Sequence, residues 1–328
     1  MAATQAAKIE RWLGPAGLEQ LLQASSGFYA PVQVANVPGN VWAMNGDLYG
    51  PIKGGGFSSL SDLISEGTTG GKRQDYFFSK AGSLATSAAW SSLWNVGNFP
   101  AAGGTVTAIP GGAAPTSSTT GSVPFTNAAG GDTLHITTLL SQGSAAPNTL
   151  LLYDRIFHAG SVLHTTTGNQ AVSGVPTRYA TTTSPGNFMF FEVTSTLGAT
   201  SHNITVTYTD QAGNTAEAAP AIAAITGSVA TRIPHSPWFI PFNSGDSGVR
   251  TITNIALSAV SSGNSAVVMG HPLAFVPQPV ANSMVLIDGI NSAFSLVQVQ
   301  DSACIAFLEL KGVATATTYT GHIIMVSG

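Results

Sequence analysis

The chain has 328 residues but only 11 Lys+Arg and 15 Asp+Glu, so 8% of it is charged, where about a quarter is usual for a soluble globular protein. Its 36 Thr and 34 Ser supply the polarity instead, and 44% hydrophobic residues suffice for a sizeable core; this excludes disorder for most of the chain, and a coiled coil as well. A net charge of −4 and a single adjacent basic pair, Lys72-Arg73, exclude a nucleic-acid binder, which neutralises phosphates with clustered Lys and Arg.

The charges are unevenly spread. Residues 1–80 hold 12 of the 26, and none follows Lys80 until Asp132. The first 96 residues read as an extended arm with short helices. Ile9, Trp12 and Leu13 recur at helical spacing, as do Leu18, Leu21 and Leu22 after the Gly14-Pro15 break. Ser59 is placed to cap a second helical turn with Asp62 at the capping-box offset. A third helix is expected over Leu84 to Trp94, from the i, i+4 pair Trp90 and Trp94.

Residues 97–131 form a connector of Gly, Ala, Pro, Ser and Thr, with too little apolar bulk to offset its own ordering entropy. It is expected to be a flexible linker or a segment ordered by a partner. From 132 onward the pattern turns to strands, with a β domain over 132–235 and a second β region over 236–328, separate from the first or packed with it. Asn203 to Thr209 alternates apolar and hydroxyl residues and meets the turn Asp210 to Asn214. Val249 to Val260, the turn Ser262-Gly263-Asn264 and Ala266 to Met269 suggest a hairpin. The fold class is therefore mainly β, an antiparallel sandwich or jelly-roll behind an N-terminal arm.

Catalytic and ligand motifs fail on inspection. Gly245-Asp246-Ser247-Gly248 matches the nucleophile tetrapeptide of chymotrypsin-like proteases, but Val249 replaces the next Gly and no histidine has the matching context, so Ser247 reads as a turn residue. Gly67 to Arg73 is one residue short of a phosphate-binding loop and carries Arg73 where Ser or Thr must meet magnesium. His158 and His164, six apart with Asp154 nearby, could share a strand face, yet zinc needs three or four ligands. Glu192, Asp210 and Glu217 are carboxylates at no defined separation. The lone Cys304 sits in an apolar run and reads as a buried thiol. No catalytic, cofactor-binding or metal residue is expected, and no enzymatic activity. No basic region followed by an apolar run opens the sequence, and no stretch reaches ~18 apolar residues, so neither a signal peptide nor a membrane span is expected.

Charge is depleted at the centres of protein interfaces, so a chain this poor in charge suits a life covered by neighbours. The segments Trp90 to Trp94, Phe99 to Gly103, Leu152 to Ile156, Gly245 to Arg250 and Asp301 to Ala306 occur in an order that resembles a group of tailed-bacteriophage virion proteins, over roughly residues 76–328. The resemblance implies a head-associated structural component, a minor capsid, cement or decoration protein, contacting copies of itself and capsid proteins in the virion after synthesis in the host cytoplasm. The chain lacks the long charged spine helix of the usual major capsid fold. A tail or receptor-binding protein is the second reading, ahead of a major capsid protein or a cell-wall or capsule hydrolase.

Overall fold

A computed structural model describes residues 56–69, 71–82, 89–180, 186–222, 234–290 and 296–328. The expected helices over residues 9–22 lie outside them. The Ser59 turn is helix α1 (Leu60–Thr68). Ser59 Oγ accepts from Asp62 N–H at 3.0 Å, while Asp62 Oδ2 accepts from Ser58 N–H at 2.8 Å, so the reciprocal cap closes one residue early.

The remaining regular elements of the described residues are strands, and every ladder between them is antiparallel. The first sheet runs β13 (Val285–Asp288), β4 (Leu134–Gly143), β16 (Thr318–Ser327), β1 (Arg73–Ala81) and β3 (Asn98–Phe99), with β14 (Val297–Val299) also pairing β4. The central sheet runs β10 (Pro237–Phe239), β7 (Phe188–Ser195), β12 (Asn264–Gln278), β5 (Asn148–Leu163), β15 (Ile305–Lys311) and β2 (Ala89–Ser92). The third runs β6 (Gly168–Ala171), β11 (Val249–Leu257), β8 (Ile204–Asp210) and β9 (Glu217–Ala218).

The long strands β5 and β12 organise the molecule. Leu150 and Leu152, early in β5, join Phe78, Ile323 and Phe307 in one core with the first sheet. Ile156 and Phe157, later in the same strand, join Val206, Tyr208, Ile252 and Ile255 in another core with the third sheet. Register shifts between β5 and β12 at Met269/Gly270 and Pro272/Ala274 separate these stretches, and bulges of this kind re-aim side chains along a strand. Strands from 132–235 and from 236–328 thus share all three sheets, and the two segments build one set of layers together.

Three expectations give way. Leu84 to Trp94 is not a helix where described: Ala89–Ser92 pairs with β15 through Leu308↔Ser92 and Leu310↔Trp90. The open edge of a long buried strand offers that segment a full ladder, which outweighs a spacing of two tryptophans. Residues 249–269 are not a hairpin: β11 pairs β8 and β6, β12 pairs β5 and β7, and 258–263 crosses between the sheets. The connector is ordered by its own chain. Lys80 Nζ, buried, donates to the carbonyl oxygens of Val96 at 2.6 Å, Pro100 at 2.9 Å and Ala101 at 3.3 Å. Farther on, Ala113 exchanges backbone hydrogen bonds with His158, and Val123 N–H donates to Ile305. Residues 73–82 and 89–130 therefore belong to the folded body, with Phe78, Leu93, Trp94 and Val123 all buried.

Candidate functional site

The few charges beyond residue 80 are largely internal. Among the described residues Asp154, Arg155, Arg178, Glu192, Asp210, Glu309 and Lys311 are buried, and Asp301 alone is fully exposed. Beyond residue 80 the described surface keeps Asp301 exposed and Asp132, Glu217, Asp246, Arg250 and Asp288 half-buried, so most of it is hydroxyl, amide and hydrocarbon.

Adjacent residues on β5 anchor two separate buried pairs. Arg155 Nη2 donates to Glu192 Oε2 at 2.8 Å, Nη1 to Tyr153 Oη at 3.3 Å and Nε to His158 Nδ1 at 3.0 Å, with the guanidinium 4.5 Å from the Trp94 ring centre. Burial first, then the Arg155 charge, pushes His158 down to about 2, so this ring stays neutral. Asp154 accepts a bidentate pair from Arg178 at 2.8 Å and, through Oδ1, the Cys304 N–H at 2.8 Å. Arg178 also donates to the connector carbonyl of Pro115. Such pairs gain little net stability but hold register, because removing either partner strands a charge.

The outer side of the first sheet is different. The registers Leu286↔Leu140, Leu140↔His322 and His322↔Phe77 set these four in one row across β13, β4, β16 and β1. Phe77 is 67% exposed, Leu286 54% and neighbouring Met284 58%. Phe77, Leu140, Met284, Thr320, Gly321 and His322 border a shallow groove of about 340 Å³. Gly321 is required there, since a Cβ would stand 2.2 Å from the Leu140 carbonyl oxygen and 2.3 Å from the Phe78 ring. His322 Nε2 lies 2.9 Å from Asp75 Oδ1, and Asp75 is already bound by Arg73 at 2.8 Å. Full coverage of each exposed apolar side chain is worth roughly 1.5–3 kcal/mol. Sequence reading missed this face, although Phe77 beside Phe78 and Leu139 beside Leu140 carry its signal: an apolar residue on both sides of one strand.

The candidate motifs are dispersed. Ser247 is exposed just before β11, its N–H donating to Gln211 Oε1 at 2.9 Å, and no histidine among the described residues is hydrogen-bonded to it. Lys72 binds Glu66 and Asp132, so the Gly67 to Arg73 loop is tied down by ion pairs. His158 and His164 have separate partners, and no group of three His, Cys, Asp or Glu able to hold a metal occurs among the described residues. Glu192 is paired with Arg155, Asp210 holds the Asn214 turn at 2.7 Å, and Glu217 accepts from Asn243 at 3.0 Å. Cys304 is buried.

No protein-family model matches the sequence, and no curated protein matches it. Among solved structures, infectious bursal disease virus Gt strain is 12% identical, with 92% of this chain and 46% of that chain covered and a TM-score of 0.12. The VP2 subviral particle of the same virus is 8% identical over 78% of this chain and 81% of that one, with a TM-score of 0.14. This chain spans 46% of the first of these. TM-scores this low mean that the backbones do not superpose, and neither structure is from a tailed bacteriophage.

Proposed function

We propose that this protein is a virion structural protein of a tailed bacteriophage, associated with the capsid in a minor capsid, cement or decoration role, and that it works by contact with other copies of itself and with capsid proteins. It carries no catalytic role in this reading. The observation that supports it is the pairing of a surface sparse in charge beyond residue 80 with the row Phe77, His322, Leu140 and Leu286, in which Phe77 and Leu286 are exposed and Leu140 is half-buried. Identical copies of an ordinary charged surface repel where like charges meet; among the described residues beyond 80 only Asp301 is exposed and five charges are half-buried, so few like charges can meet. Self-contact is then driven by apolar burial and by Ser, Thr and backbone hydrogen bonds.

Sedimentation velocity of the purified protein at low and high sodium chloride tests self-association, and rebinding to particles stripped of the protein tests the capsid role. Association that changes little with salt, and many symmetry-related sites on the head, are the expected results. A monomer at all salts, collapse of binding at high salt, or binding confined to the tail overturns the reading.

A further inference from the structure

Two histidines far apart in sequence, His164 just after β5 and His202 just before β8, meet ring to ring in the interior. His164 Nδ1 lies 2.8 Å from His202 Nε2, His164 Nε2 lies 3.0 Å from Ser265 Oγ, and His202 Nδ1 lies 3.0 Å from the Thr200 carbonyl oxygen. Their exposures are 0% and 2%.

The proton positions follow from one fixed partner. A carbonyl oxygen only accepts, so His202 Nδ1 carries hydrogen, and in the neutral ring His202 Nε2 is then the acceptor. His164 Nδ1 must donate to it, which leaves His164 Nε2 to accept from the Ser265 hydroxyl. The chain of donors runs in a single direction: Ser265, His164, His202, Thr200.

This arrangement has room for one added proton. His164 Nε2 can take it if the Ser265 hydroxyl turns round to accept. A second has no place, because both facing nitrogens would then carry hydrogen across 2.8 Å. The groups bonded to the pair are the Ser265 hydroxyl from β12 and the Thr200 carbonyl from the 196–203 crossover. Backbone groups of Gly263 and Ser261, from the other crossover, bond the His164 main chain. None of these titrates, so among the described residues no carboxylate is bonded to the pair to offset an added charge. Burial first, and His202 second, push His164 down to about 4.

The position is structural as well as chemical. His164 N–H donates to Gly263, Ser261 N–H donates to His164, and Gly198 N–H donates to Ser262. The pair therefore ties together segments 196–203 and 258–263, two of the connections by which the chain crosses between the central and third sheets. We propose that the His164–His202 pair is an acid-operated latch that holds both crossovers closed while it carries at most one proton and releases them when it takes up the second.

An opened histidine titrates near ~6.5, above the closed value for His164. The latch is thus at full strength above that pH and weakens as pH falls from there toward 4. Hydrogen–deuterium exchange on the full chain at pH 7.5, 5.5 and 4.5, corrected for intrinsic rates, reads it directly. The His164, Gly198 and Ser261 amides should exchange at least about tenfold faster at pH 4.5 than at 7.5, the effect of a single pKa unit of linkage. The β4–β16 ladder should hold its rate. Uniform acceleration would trace acid sensitivity to groups outside the pair, such as buried His158 and half-buried His271, and overturn the proposal, as would no acceleration at all. His202→Gln keeps an acceptor for His164 but cannot be protonated, so it should flatten the local pH response; an unchanged response in that variant also overturns the latch.

Discussion

Phe77 lies flat on His322, with ring centroids 4.2 Å apart and planes 6° from parallel. The stack fixes an exposed phenyl ring in place before any partner arrives. An aromatic already held in one orientation loses little further freedom when covered, which is how preorganised contacts gain affinity. Phe77→Ser combined with Leu286→Ser should weaken self-association at least about tenfold, while each surface change moves stability by no more than about 0.5 kcal/mol. Sedimentation and thermal melting of the same samples separate the two effects. Unchanged association would place the contact elsewhere.

The Arg155–Glu192 pair should be costly to break and cheap to replace. Arg155→Met leaves a buried carboxylate unpaired and should destabilise by about 3–5 kcal/mol. Adding Glu192→Leu removes that carboxylate and should recover most of the loss. Urea denaturation of both singles and the double gives the coupling energy; additive losses would mean that the pair does not act as one unit.

Burial pushes the Cys304 thiol up to about 12, and the thiolate is the species that reacts with alkylating agents. Iodoacetamide at pH 8 should therefore leave the native protein unlabelled and modify it rapidly in denaturant. Fast labelling of native protein would contradict the packing around β15.

Ser247→Ala should leave stability and association as they are, since only the Ser247 backbone makes a hydrogen bond, to Gln211 and to Gly186. A fluorophosphonate probe is expected to leave wild type unlabelled. Labelling that disappears in the Ser247→Ala protein would show a nucleophile.

Some of this was legible in the residues alone. The alternation of Ile204, Val206 and Tyr208 with threonines gives a strand buried at every second position, and Asp210 and Asn214 close its turn. Ser59 and Asp62 mark the start of α1. Alternation does not choose a partner, however. Val249–Leu257 and Asn264–Gln278 have the pattern of two strands joined by a Gly-containing turn, and only the competition for β5, β7 and β8 sends them to different sheets. The connector looks flexible because its order comes from groups distant in sequence: the ammonium of Lys80, 20 and 21 residues upstream of Pro100 and Ala101, the guanidinium of Arg178, and the backbones of His158 and Ile305. The composition counts charges but does not locate them, so the burial of Asp154, Arg155 and Glu192, and with it the bareness of the surface, emerges only in three dimensions. The outer face was illegible for the same reason: its row joins four strands drawn from residues 77, 140, 286 and 322.

The pairing of Arg73 with Val326 and of Ala81 with Thr318 sets an order of events during synthesis. Strand β1 is made early, but it has no central partner until residues 318–327 have left the ribosome, and contacts so distant along the chain form late and slowly. The seam between β1 and β16 also carries Phe77 and His322. A chain that stops short of β16 therefore lacks the Phe77–His322 stack and the strand that joins Phe77 to Leu140, so this face is completed last. Sequence distance across a single ladder thus works as a timer: in the proposed self-association, the face that copies would share is finished only after the last strand has paired.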